Sequence, residues 1–169
     1  MTDLAENTKE ESVEQKSIEQ KVVELLKKRK MLITTAESCT AGLVASAIVN
    51  VAGASSVFKQ GYITYSDNAK HELLGVKEQT LKKYFAVSKE TAFEMAKGGA
   101  DAAAADVCVA VTGVAGPDTE DGKPVGLVYI SCCVNGYVTV KKFTFDGDRA
   151  KIRNQDAYEA LNLVYDCIK

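Results

Sequence analysis

The chain has 169 residues, 46% of them hydrophobic, and a net charge of −2. That suits one domain with a real core and encodes no strong pull toward nucleic acid or an anionic membrane. No apolar run approaches the roughly 20 residues a bilayer span requires, and the acidic N-terminus does not read as a secretory signal.

Residues 1–16 are polar and charged and read as a disordered or loosely helical tail. From Ser17 the pattern changes. Ile18, Val22, Leu25 and Leu26 recur at helical spacing, and the basic run 27–30 closes the segment. "MLITTA" (31–36) is short, apolar and β-branched, which predicts a buried strand. "TAGLVASAIVNV" (40–51) predicts a helix. "VFKQGYITYS" (57–66) predicts a strand. "NAKHELLG" predicts a short helix, capped by Ser66 or Asp67 and ended by Gly75. Further helices are predicted over 77–84 and 88–105, then a buried strand, "VCVAVT" (107–112). The loop 113–126 holds both prolines of the chain. "LVYISCCV" and "YVTVKKFTF" flank Asn135-Gly136, a strong two-residue hairpin signal. Residues 149–168 close the chain as an amphipathic helix. This order predicts a three-layer α/β/α single domain over 17–169, with a mixed β-sheet.

The chemistry is bounded by two counts. There is one histidine, His71, so a multi-histidine metal site is impossible and a Ser-His-Asp triad could use only that residue. There are five cysteines and no CxxC spacing, which suggests neither a zinc site nor a disulfide framework. Reduced thiols in a cytoplasm are the simplest reading.

Four segments could carry a site. In "TTAESCTAG" (34–42), Ser38 lies where a strand gives way to a helix, whose free amides stabilise developing negative charge. Ser38 or Thr40 could equally be a helix cap. Cys39 is either a rival nucleophile or a small packing residue. In "GYITYSDNAKH" (61–71), Lys70 falls in the first turn of a helix. If that turn is buried, the charged amine is disfavoured, and Lys70 could take a proton from a serine with Tyr65 as relay. The alternative is a surface lysine and a packing tyrosine. In "TGVAGPDTEDGKPVG" (112–126), Gly113 and Gly116 could expose amides to a phosphate, or the segment could be a plain linker. In "DGDRAKIR" (146–153), Arg149 and Arg153 lie one helical turn apart, as phosphate ligands or as surface ion-pair partners.

With these four motifs in this order, residues 17–168 resemble the CinA C-terminal domain family. Its enzymatically defined members are nicotinamide mononucleotide (NMN) deamidases of the PncC type. The resemblance implies metal- and cofactor-free hydrolysis of the NMN carboxamide to nicotinate mononucleotide and ammonia. It implies Ser38 as nucleophile, Lys70 as general base and Tyr65 as its associated tyrosine. Thr40, Thr112, Gly113, Gly116 and Arg149 then fall to the nucleotide. The implied partner is a small-molecule nucleotide, not nucleic acid or membrane, and a homo-oligomer is compatible with the family. A nucleotide-binding regulatory module with little turnover, and a Cys39-His71 thiol hydrolase, are the competing readings. The family's nucleotide-cleaving N-terminal domain has no counterpart expected in the short charged tail. One departure stands out: Ala41 replaces a usual glycine. It is harmless if 40–51 is ordinary helix.

Overall fold

The computed structural model describes residues 16–169, so all of the predicted tail but Lys16 lies outside the described residues. Helix α1 (Ile18–Arg29) opens on a capping box in which Ser17 and Gln20 each bond the other's amide. Then follow β1 (Ile33–Glu37), α2 (Leu43–Val49), β2 (Tyr62–Ile63), α3 (Asp67–Leu74), α4 (Glu78–Tyr84) and α5 (Lys89–Ala103). The chain ends with β3 (Val107–Gly113), β4 (Leu127–Val134), β5 (Tyr137–Thr144) and α6 (Arg149–Ile168).

The five strands form one mixed sheet in the order β2-β1-β3-β4-β5. β2, β1 and β3 run parallel; β4 and β5 run antiparallel. The hairpin turn falls on Asn135 and Gly136, both at positive φ (49° and 86°). A two-residue hairpin turn matching the twist of its strands needs that conformation.

Strand β3 shows why there are three layers. Val107, Val109 and Val111 point into the core shared with α1, α2 and α6. Cys108 and Ala110 point into the opposite core, against Met95, Ala96 and Ala100 of α5 and Leu74 of α3. Each fully buried aliphatic side chain contributes about 1.5–3 kcal/mol. Gly98 lets α5 meet the end of α3: a Cβ there would lie 1.7 Å from the Leu74 carbonyl oxygen. That close approach fixes the helix that carries Lys70.

The strand expected over 57–66 is much shorter. Phe58 makes an isolated bridge to Ile33, and regular pairing covers only Tyr62–Ile63. Between them the Thr34 hydroxyl, not a backbone amide, bonds the Gln60 carbonyl at 2.9 Å. A side-chain bond holds the edge there and interrupts the ladder.

Candidate active site

Helix α2, which follows β1, lies on one face of the sheet, whereas α3 and α5, which follow β2, lie on the other. Where successive connections leave to opposite faces, a crevice opens beyond the carboxyl ends of the strands. Here it is lined by Ser38 and Cys39 after β1, Tyr65 and Lys70 after β2, and Thr112–Gly116 at the end of β3. Arg149 and three carboxylates, Asp67, Asp118 and Glu120, complete the wall.

At its floor Lys70 Nζ lies 3.2 Å from Ser38 Oγ and 3.0 Å from the Thr64 carbonyl oxygen. Lys70 is only 1% exposed and Ser38 8%. No carboxylate lies within 4 Å of Lys70 among the described residues. Burial therefore pulls the lysine below its ordinary 10.5, opposed only in part by the charges of Asp67 and Glu120. Ser66 caps α3 through the Ala69 amide, so the turn that carries Lys70 is well formed.

The helix expected from residue 40 begins only at Leu43. The cause is Glu37. Its buried carboxylate accepts from the amides of Gly42 (2.9 Å), Val44 (3.1 Å) and Ala45 (2.9 Å). Residues 38–42 must loop over that group, and they do so with Ala41 at φ 49° and Gly42 at φ 97°. Two expectations fall with this. The first amides of α2 are taken and do not face a substrate. Ala41 is not in ordinary helix but in the left-handed region, where a Cβ costs roughly 1–2 kcal/mol. Ala41→Gly relieves that strain and loosens the unfolded chain, for a net gain of about 0.5–1 kcal/mol. A denaturant titration checks this; no gain would mean that the surrounding bonds already absorb the strain.

Cys39 faces the core rather than acting as a second nucleophile. Its thiol donates to Asp156 Oδ2 at 3.0 Å. Burial, then the Asp156 charge, pushes the thiol well above its usual range, so it stays protonated. His71 does not line the cleft; its Nδ1 lies 2.8 Å from the Val76 carbonyl oxygen. The Cys39-His71 pairing is therefore not assembled.

Asp156 is fully buried with Oδ1 unpartnered. Burial foremost, with Glu37 nearby, raises its carboxyl from 3.8 to about 7, although the Cys39 bond opposes this. The folded state thus holds a proton that the unfolded chain releases near pH 4. Stability falls as pH rises through the window between those two values. Asp156→Asn mimics the protonated form and removes that loss. Against wild type, its stability should gain on the order of 2–4 kcal/mol between pH 4 and pH 8. Urea titrations across that range check it; a constant difference would mean that Asp156 is ionised throughout.

The other candidates are placed less centrally. Tyr65 is 61% exposed, and its hydroxyl accepts from Arg149 Nη2 at 3.0 Å instead of meeting Lys70. Arg149 Nη1 also donates to the Gly116 carbonyl at 2.6 Å, bridging the cleft mouth. The Thr112 hydroxyl donates to the Ala86 carbonyl at 2.8 Å. A Cβ on Gly113 would collide with Val128 of β4, 2.5 Å away, so that glycine serves strand packing. The amides of Ala115 and Gly116 have no partner among the described residues and border the cleft. Thr40 is fully buried, does not line the cleft, and has an unpartnered hydroxyl. Arg153 does not line the cleft and forms no ion pair among the described residues; it bonds the Cys39 and Thr40 carbonyls. Sequence reasoning missed Glu37 and Asp156. The signal for Glu37 was a carboxylate inside an otherwise apolar strand, which must find donors.

Fold and cleft together define a three-layer α/β domain with a serine–lysine pair at the carboxyl ends of its parallel strands. The chain belongs to the CinA C-terminal domain family, which it matches over residues 15–168. It is 56% identical over 144 residues to a CinA-like protein of Kosmotoga olearia, covering 85% of this chain and 35% of that protein. It spans about a third of the length of the curated relatives it matches. A CinA superfamily protein from Klebsiella pneumoniae superposes with a TM-score of 0.87 at 33% identity, over 89% of this chain and 95% of that one. The competence/damage inducible protein CihA from Agrobacterium tumefaciens gives 0.82 at 37% identity, over 90% and 96%.

Proposed function

We propose that this domain hydrolyses the carboxamide of NMN, giving nicotinate mononucleotide and ammonia through an acyl-enzyme on Ser38. The observation that carries the reading is the 3.2 Å contact between Ser38 Oγ and a buried lysine that has no carboxylate partner among the described residues. Such a lysine gives up its proton more readily and can act as a base.

Neutral Lys70 takes the hydroxyl proton as Ser38 Oγ bonds the carboxamide carbon. The Cys39 amide, which borders the cleft and has no carbonyl partner among the described residues, holds the oxyanion. Protonated Lys70 returns its proton to the nitrogen, the C–N bond breaks, and ammonia leaves. Water then attacks the ester, its proton passes to Lys70, and the C–Oγ bond breaks with that proton returned to Ser38. Charge supports the substrate class. Asp67, Asp118 and Glu120 oppose a positive pyridinium ring, while Arg149 and the free amides of Ala115 and Gly116 suit a phosphate.

The test is ammonia release by the purified chain from NMN, nicotinamide and glutamine side by side, with nicotinate mononucleotide identified as product. Release from NMN alone is expected. NMN left intact at enzyme concentrations near its own would overturn the reading.

A further inference from the structure

The Ser38 amide closes the β1–β3 ladder on the Val111 carbonyl oxygen at 3.0 Å. Beyond it the chain is a turn until Leu43, so no regular element fixes the nucleophile. Two charged side chains outside the cleft lining hold that turn from beneath. Glu37 gathers three amides that follow Ser38, those of Gly42, Val44 and Ala45. Arg153 reaches in from α6 and donates through Nε to the Cys39 carbonyl and through Nη2 to the Thr40 carbonyl, both at 2.8 Å. The carboxylate takes backbone donors and the guanidinium takes backbone acceptors. Together they tie the chain from residue 39 to residue 45. Neither is bonded to Ser38 Oγ or Lys70 Nζ.

We infer that Glu37 and Arg153 are positioning residues for acylation. They hold Ser38 Oγ within reach of Lys70 by fixing the turn that follows it and the direction of the Cys39 and Thr40 carbonyls. The inference rests on the serine–lysine reading above.

The chemistry requires charge. Both carboxylate oxygens are engaged, and one of them accepts two amides. A neutral amide side chain has one oxygen, and its NH2 would face a backbone N–H instead of accepting from it. Burying a carboxylate is costly, and the three charge-assisted bonds offset that cost. A neutral cap on residue 40 would end the helix with far less constraint on residue 38. Arg153 acts likewise: its planar fork meets two successive carbonyls, which an ammonium cannot match in one geometry.

The test compares Glu37→Gln, Glu37→Asp, Arg153→Lys and Arg153→Met in the full chain, with thermal melts and NMN kinetics. For Glu37→Gln, kcat should fall about 30- to 100-fold, the scale of a 1 Å misplacement. KM should stay within about threefold, because the cleft wall is untouched. Arg153→Lys should retain more turnover than Arg153→Met. If Glu37→Gln does not fold, Glu37→Asp and the Arg153 pair decide by the same split. A folded Glu37→Gln protein that melts lower but keeps kcat within about threefold would overturn the inference and leave Glu37 a helix cap. If wild type leaves NMN untouched, the functional reading fails and crystal structures decide the positioning claim. The 3.2 Å Ser38–Lys70 contact should then lengthen in the variants past hydrogen-bond range, about 3.5 Å; an unchanged contact would overturn it.

Discussion

Ser38→Ala is expected to lower NMN deamidation by at least about 10³-fold while the domain stays folded, because removing a nucleophile leaves only binding and oxyanion contributions. The fold tolerates the change for a specific reason. Ser38 caps no helix: the first amides of α2 already belong to Glu37. What is lost is one side-chain bond to Lys70, about 0.5–1.5 kcal/mol, and Lys70 keeps the Thr64 carbonyl. Cys39→Ser with Ser38 intact should keep turnover, since that thiol is held protonated against Asp156. Ammonia release beside thermal melts distinguishes the two variants. A folded Ser38→Ala protein with near-normal turnover would eliminate the acyl-enzyme.

Lys70→Arg should be nearly as damaging as Lys70→Met, each by about 10²–10⁴-fold, the usual span for a general base. Arginine keeps the charge but does not deprotonate in a protein. Activity within about tenfold of wild type in Lys70→Arg would make Lys70 a charge contact. The pH profile gives an independent check. Protonated Lys70 cannot accept from Ser38, so kcat/KM should rise with pH and level off below the ordinary lysine value of 10.5, because burial lowers the folded pKa. Asp67 opposes that lowering. Asp67→Asn should therefore move the acid limb to lower pH; a shift the other way would contradict Lys70 as the titrating group.

Much of this architecture was legible because its signals are local. Asn135-Gly136 names its own turn, Ser66 and Gly75 delimit α3, and the alternation of Val107, Val109 and Val111 marks a strand buried on both sides. Of the candidate site, Ser38, Tyr65, Lys70, Gly116 and Arg149 do line one cleft, but their arrangement was less legible. Ser38 and Lys70 are separated by 32 positions, and only the parallel pairing of β1 and β2 brings the segments beyond their carboxyl ends together. What stayed hidden depends on distant partners. Residues 40–42 have helical composition, yet a carboxylate five residues before Gly42 claims the amides and forces Ala41 into a left-handed conformation. Arg153 looks like any arginine on the exposed side of a helix. Its partners, at Cys39 and Thr40, lie more than a hundred residues earlier.

The two borders of the sheet bear on how copies of the domain could meet. On one side β2 offers only Tyr62 and Ile63 as regular strand. On the other, β5 presents the exposed Lys141 and Lys142, with Lys141 near Asp166 of α6 at 3.7 Å. Very short strands and outward lysines both discourage a foreign strand from pairing in register. The sheet is therefore a poor template for edge-to-edge growth, whether in assembly or in aggregation. A continuous sheet running from one copy into the next is therefore disfavoured at both borders.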